Sequence, residues 1–473
     1  MGSSHEVVWN ADTESVSFSP LECENQIQSF TPLSERIATD CKSFQQTSKE
    51  DSKKIVVKRS DIDCQTLEER ERPGPYSPLW SAAFNLFIPL FGTGLLSLPY
   101  AILRGGWISI VAFLVVPVIS IYTAVILVDC LYDNDPETGQ RVRVRSSYEE
   151  IGAVVSPKYG RKVVVVVLVI TMILVSTGFL VLAGSFLEGT FPGVAMNKRI
   201  WTVIAGVFVL PTIFLKNIPQ IGWVSLVGVL ANSVPVITTV WYVFQHKNSS
   251  EWTIGAIKQG DLEGVFISIN IITFSYGLHG VLLKIENTIA NKSKIYPLLT
   301  SCIMFSTFVN GFFSLCCFLS FTNSTKDQIT NNLPVGMPLY VANTGIAIKV
   351  VCSYALPLFI VVDYFDNNSP VKTFCLKKVS STAWFVLLRL VLFFLTLTAA
   401  VFLPHFGLVV AFTSSLGGSA IIFLFPTFFH LKLFKQLGLM KRLCDYVVFA
   451  LGLFVAVLGA FFSLKGAIYQ FNS

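Results

Sequence analysis

Residues 85–107 read NLFIPLFGTGLLSLPYAILRGGW. The stretch is apolar enough for hydrocarbon, yet Gly92, Thr93 and Gly94 stand near its centre, with Pro89 and Pro99 on either side. A spanning helix needs roughly 20 mostly apolar residues, and glycine and proline are the residues least able to hold one straight. Unpaired backbone groups are costly in lipid, so an interruption at membrane depth survives only where it faces protein or a watery cavity. The stretch therefore predicts a broken spanning helix with a purpose. A second interrupted run lies at 270–280, NIITFSYGLHG.

The rest of the chain agrees with a membrane setting. Of its 473 residues, 53% are hydrophobic, 13% aromatic and only 14% charged, where a soluble domain carries about a quarter charged. The mean hydropathy is +0.63. Apolar runs at 80–103, 106–132, 163–187, 200–215, 221–245, 262–283, 297–321, 338–363, 382–403, 407–431 and 444–463 predict an all-α polytopic protein with eleven spans. With residues 1–75 in the cytosol, seventeen Lys and Arg fall in cytosolic loops against seven on the other side, the bias the positive-inside rule expects. The sequons at Asn248 and Asn323 then face the lumen or exterior as candidate glycosylation sites, although Asn291 and Asn367 head sequons on the cytosolic side. Residues 1–75, rich in polar residues and without a signal-peptide pattern, read as a disordered cytosolic tail. Residues 76–465 read as the transmembrane domain, and 466–473 as a short lumenal C-terminus. The net charge of +6 needs no nucleic-acid partner. The ten cysteines show neither metal-ligand spacing nor a disulfide framework, so no metal and no cofactor is expected.

Two broken helices suggest a mechanism. Secondary transporters place discontinuous helices at the bilayer midplane, where a half-helix N-terminus holds a carboxylate and freed carbonyls hold a cation or ammonium. An amino acid has both groups. The interrupted runs are the first and sixth spans, which predicts a 5+5 inverted repeat with an eleventh helix appended. The substrate site is then built from Gly92, Thr93 and Gly94 with Phe274, Ser275, Tyr276 and Gly277. The alternative is that the glycines only permit close helix packing.

Several runs resemble the amino acid/auxin permease superfamily and, within it, the vesicular inhibitory amino acid transporters. They are LPYAILRGGW (98–107), VRVRSSYEEI (142–151), LPTIFLKNIPQIGWVSLVG (210–228), TKDQITNNLP (325–334), KVVCSYALPLF (349–359) and LPHFGLVVAFTSSLGGSA (403–420). The resemblance covers nearly all of 80–465. It implies eleven spans, a cytosolic N-terminus and the broken-helix architecture. It also implies exchange of protons for a GABA- or glycine-like neutral amino acid, into a vesicle or organelle acidified by a proton pump. The alternative it leaves is proton–amino acid symport out of a lysosome or vacuole, or across the plasma membrane. The sixth span departs from the vesicular pattern at Gly277, His279 and Gly280, where the substrate would touch.

Ionisable residues inside spans are functional candidates by default. Lys349 matches a lysine of the related transporters; its ammonium replaces a sodium ion, or it simply pairs with a carboxylate or carbonyls. His279 lies in the second interruption as a proton-handling group or a structural histidine. Glu286 matches a glutamate of the relatives and is the first choice for a gate or proton-linked carboxylate; the alternative is a screened surface pair with Lys284 or Lys292. The expected partners are a small-molecule amino acid, protons and the bilayer, and the expected state is a monomer. No nucleophile elbow, P-loop or metal set points to an enzyme, no pore-helix repeat points to a channel, and the broken pair of helices argues against a receptor.

Overall fold

Gly92 ends the first helix. In the computed structural model, which describes residues 78–472 apart from 136–137, 215–217, 247–251, 253, 369–379 and 404, helix α1 runs Leu79–Leu90. Gly92 is extended at φ −72°, ψ −175°, a 3-10 turn follows over Thr93–Ser97, and α2 resumes at Leu98–Gly105. The 1–75 tail and Asn248 lie outside the described residues.

Gly106, at φ 58°, turns the chain into α3 (Trp107–Asp129). A short antiparallel hairpin, β1 (Tyr132–Asn134) with β2 (Arg141–Arg143), pairs Tyr132 with Arg143. Helix α4 (Tyr148–Val155) starts at Ser147, whose hydroxyl accepts from the Glu150 amide, while the Glu150 carboxylate takes the Ser146 amide. The chain continues through α5 (Gly160–Thr190), α6 (Lys198–Val209) and α7 (Ile218–Gln245). The second interrupted run gives α8 (Leu262–Phe274), a non-helical turn over 275–278, and α9 (His279–Thr288). Then come α10 (Ile295–Phe321), α11 (Met337–Ser353), α12 (Ala355–Asn368) and α13 (Ser381–Phe402). Helix α14 (Phe406–Thr413) passes through two π-helical turns, Ser414–Gly418 and Ala420–Leu424, into α15 (Phe425–Leu433). The last helix, α16, runs Leu439–Asn472.

Nine helical segments among the described residues are long and apolar enough to cross a membrane: Leu79–Gly105, Trp107–Asp129, Gly160–Thr190, Leu262–Thr288, Lys292–Ser324, Met337–Asp366, Thr382–Phe402, Phe406–Leu433 and Leu439–Tyr469. The two other expected spans correspond to α6, only 12 residues before its 3-10 extension, and to α7, whose side chains are described only in part. Burial separates the segments. In an apolar 18-residue stretch of each, 72% is buried in Leu262–Thr288 and in Phe406–Leu433, against 22% in Leu439–Tyr469. Large apolar side chains such as Leu114, Phe208 and Phe308 stand exposed on the outer helices, as expected where lipid is the solvent.

The broken helices cross. Helix α2 packs along α8, and α1 packs on α9, so each half contacts the opposite half of the other helix. Small residues let α2 and α8 approach: a β-carbon on Gly105 would sit 2.7 Å from Cβ of Ser268, and Ser109, at the start of α3, shares a 2.7 Å hydrogen bond with the same Ser268. Helix α16 docks on α8 in the same way. Asn270 Nδ2 donates to the Val455 carbonyl at 3.3 Å, and Gly459 faces the Asn270 side chain, with room for no β-carbon. Gly459→Leu is therefore expected to destabilise the protein by about 1–3 kcal/mol through overpacking. The check is the melting temperature in detergent, read as the loss of the monodisperse peak on size exclusion; an unchanged value would show that α16 is loosely held.

Candidate functional site

The two interruptions meet. A β-carbon on Gly94 would lie 2.7 Å from Cδ1 of Phe274 and 3.2 Å from Oγ of Ser275. Gly94 thus stands against Phe274 and Ser275, whereas Gly92 faces the backbone of Ile88 and Pro89 in its own helix. Thr93, Ser275 and Tyr276 are buried, Phe274 is half-buried and Gly277 is exposed.

The backbone groups released at each break behave differently. At the first, the 3-10 turn begins at Thr93, so the Thr93 and Gly94 amides lie ahead of its first i→i+3 bond, Leu95 N–H to Gly92 O. Such first-turn donors suit an anion. The carbonyls on the other side are engaged by side chains. Asn232 of α7 donates to Phe91 O at 2.8 Å and reaches Gly92 O at 3.5 Å, and Asn310 of α10 donates to Leu90 O at 3.3 Å. The carbonyls expected to meet an ammonium are thus already engaged by two carboxamides, because each Asn presents two donors where the helix has none. At the second break the chain bonds to itself through tight turns, Ser275 N–H to Ile272 O, Tyr276 N–H to Thr273 O and Leu278 N–H to Tyr276 O. Asn232 Oδ1 and Asn310 Oδ1, on the side chains that hold the first break, and Thr273 Oγ1, just before the second, are buried without a hydrogen-bond partner among the described residues. Buried polar atoms are normally satisfied, so this concentration marks an interior with spare hydrogen-bonding capacity.

His279 opens α9 and has no exposure; its Nε2 lies 3.0 Å from the Thr123 hydroxyl of α3. It therefore ties the second break to α3. Lys349 is 4% exposed on α11, against Gly228 of α7, one helical turn from Asn232. It makes no ion pair or hydrogen bond among the described residues.

Glu286 is not the surface pair offered as its alternative reading. It has no exposure, accepts a short hydrogen bond from the Tyr132 hydroxyl, and faces Arg143 Nε at 3.2 Å and Lys292 Nζ at 3.7 Å. Lys292 also donates to its carbonyl at 2.8 Å, and Arg143 bonds Asn287. Burial and the neighbouring carboxylate push the Tyr132 hydroxyl well above the ordinary tyrosine range, so it remains a donor. The β1–β2 hairpin is thereby clamped to the end of α9. Tyr132 and Arg143 are missing from the sequence-level site, because nothing in their spacing signals a partner more than 140 residues away.

Other polar residues fall elsewhere. Arg389 donates to Ile213 O at 3.0 Å and lies over the Phe385 ring. Asp129 is held by Arg141 at 2.6 Å and Tyr296 at 2.8 Å. Asn323 is exposed in a turn. Among the described residues the cysteines are free, and no group of ligands fit for a metal occurs. Glu286→Gln removes the negative charge between Arg143 and Lys292, a loss of about 1–3 kcal/mol locally. Faster amide hydrogen exchange confined to 132–143 is the expected result; unchanged exchange there would show that the carboxylate does not hold the hairpin.

Comparison with known proteins supplies the class. The family model described as "Transmembrane amino acid transporter protein" matches residues 77–465. A vesicular inhibitory amino acid transporter of Xenopus tropicalis is 31% identical over 84% of this chain and 79% of its own length. A vesicular GABA transporter of Caenorhabditis elegans is 26% identical over 85% of this chain and 82% of its own. Amino acid transporter AVT1I of Arabidopsis thaliana is 26% identical over 83% of this chain and 96% of its own. With its apolar spans, its paired helix breaks and a family match across nearly the whole of its described length, this chain belongs to the transmembrane amino acid transporters, membrane proteins that carry amino acids and are not enzymes.

Proposed function

We propose that this protein exchanges protons for a small neutral amino acid of the GABA or glycine type, loading it into an acidic vesicle or organelle. The observation that carries the reading is the contact of Gly94 with Phe274 and Ser275, where two broken helices bring first-turn amides and spare polar atoms to one point. A zwitterion's carboxylate binds at the Thr93 and Gly94 amides. Tyr276 and Gly277 shape the other wall. The relatives named for vesicular inhibitory amino acid and GABA transport support the substrate class and the vesicle membrane.

In this reading the chain has eleven spans, with α6 and α7 completing the nine. Spans one to five and six to ten form an inverted repeat, which the crossed packing of α2 on α8 and α1 on α9 supports. The positive-inside bias puts the N-terminus and the β1–β2 hairpin in the cytosol and the C-terminus in the lumen, with Asn248 and Asn323 as lumenal glycosylation sites. Glu286, clamped by Tyr132, Arg143 and Lys292, serves as the cytosolic gate. Lys349 supplies a fixed positive charge beside α7, and His279 holds the second break in register with α3. The carrier acts as a monomer and depends on a proton pump for its driving force.

Purified protein in liposomes tests this, with radiolabelled GABA, glycine and other neutral amino acids under separately imposed pH and voltage gradients. Accumulation into vesicles with an acid interior is expected. Accumulation only from an acid exterior would reverse the coupling to symport, and no gradient-driven accumulation of any amino acid would reject proton coupling. Gly94→Val drives a branched side chain into Phe274. It is expected to abolish uptake while the protein still reaches the membrane; normal uptake by this variant would exclude the pocket.

A further inference from the structure

Two more buried ionisable residues stand outside the site described so far. Asp445, in the second turn of α16, has no exposure, and His430, in the last turn of α15, is 4% exposed. The Asp445 carboxylate receives a hydrogen bond on each oxygen. The Tyr122 hydroxyl of α3 donates to Oδ1 at 2.6 Å, and His430 Nδ1 lies 2.7 Å from Oδ2. Three spanning elements thus meet on one carboxylate.

A bland role in packing explains this poorly. A buried ion pair adds little stability over apolar residues of the same volume, whereas paired ionisable groups within spans mark proton routes. The chemistry of the cluster is simple. With the imidazole neutral and donating from Nδ1, the pair carries one negative charge. A proton added at Nε2 gives an imidazolium beside a carboxylate, and the net charge is gone. The surrounding elements carry few groups that compete. On α3, Asp129 is held by Arg141 and Tyr296, and Cys130 follows it. On α4, Tyr148 donates to Ile421 O, and Glu150 caps its own helix beside Glu149. On α15, Lys432 lies over Phe428; on α16, Lys441, Arg442 and Cys444 precede Asp445. Glu263 of α8 is at the other end of the bundle with Arg104 and Lys465.

The cluster is also wired to the second helix break. Tyr122 is followed by Thr123, whose hydroxyl contacts His279 Nε2, and Ser120 in the same turn reaches Tyr276 O at 3.5 Å. Helix α16, which carries Asp445, bonds α8 through Asn270 and Val455.

We propose that His430, Asp445 and Tyr122 form the site where the coupling proton binds, at Nε2 of His430, and that the turn of α3 from Ser120 to Thr123 transmits its arrival to residues 275–278. The inference rests on the proton-coupled reading above and names where the proton sits.

The test compares two measurements on the same liposomes, with labelled GABA and glycine as probes. One is counterflow, labelled against unlabelled amino acid with no pH gradient; the other is accumulation driven by an imposed pH gradient. His430→Gln and Asp445→Asn are expected to retain counterflow within roughly twofold and to lose driven accumulation by about tenfold or more, with a flattened pH profile. Tyr122→Phe, which deletes one hydrogen bond, is expected to shift the pH profile and keep accumulation. Equal loss of both measurements in His430→Gln and Asp445→Asn, with an unshifted profile in Tyr122→Phe, would reduce the cluster to a fold element and overturn the proposal. Driven accumulation equal to the unmodified protein's would overturn it too. If the unmodified protein shows counterflow but no driven accumulation, the proton-coupled reading itself fails, an outcome distinct from failure of the site alone.

Discussion

Both helix breaks answer one constraint: a backbone amide or carbonyl inside a bilayer needs a partner. The first helix stops at Gly92, and the carbonyls of Leu90, Phe91 and Gly92 would otherwise be stranded in hydrocarbon. Asn232 and Asn310, from two different helices, supply the missing donors. The second break solves the same problem by folding on itself in successive tight turns. The two solutions leave different residues of capacity. Amide donors remain at Thr93 and Gly94, and the Oδ1 atoms of Asn232 and Asn310 beside the first break have no hydrogen-bond partner among the described residues. Those unspent donors and acceptors are what the proposed amino acid site draws on.

Charge is distributed by the same logic. The two fully buried carboxylates described above each draw several partners, whereas the buried Lys349 draws none among the described residues. Glu286 gathers Tyr132, Arg143 and Lys292, and Asp445 gathers Tyr122 and His430. Both clusters bind together elements from distant parts of the chain, and both touch a helix adjoining the second break. Glu286 lies at the far end of α9, and Tyr122 is one residue from the Thr123 contact to His279. Helix α3 joins the break to the Asp445 cluster, since its Ser120–Thr123 turn meets the break on one side and the cluster on the other.

Much of this was legible residue by residue. Gly92 and the FSYG run marked both breaks, since glycine within an otherwise apolar span is conspicuous, and the meeting of Gly94 with Phe274 followed from placing them in one architecture. Glu286 was legible as a residue but its setting was not. From sequence it had only Lys284 and Lys292 nearby, whereas its closest partners, Tyr132 and Arg143, come from a hairpin beyond α3. Asp445 and His430 left no signal at all. They sit near helix ends, where charged residues are ordinary, and only the convergence of α3, α15 and α16 makes them unusual.

The sequence by itself determined the solvent, the helical class, the positions of the two interruptions and the family, because these depend on composition, local backbone freedom and ordered motifs. Only the tertiary structure decided which side chains repair the broken backbone and which carboxylates are buried. Those outcomes depend on contacts between residues far apart in the chain. Hydrophobic periodicity does not encode them, because the lipid-facing side of a membrane helix is apolar, as is much of its protein-facing side.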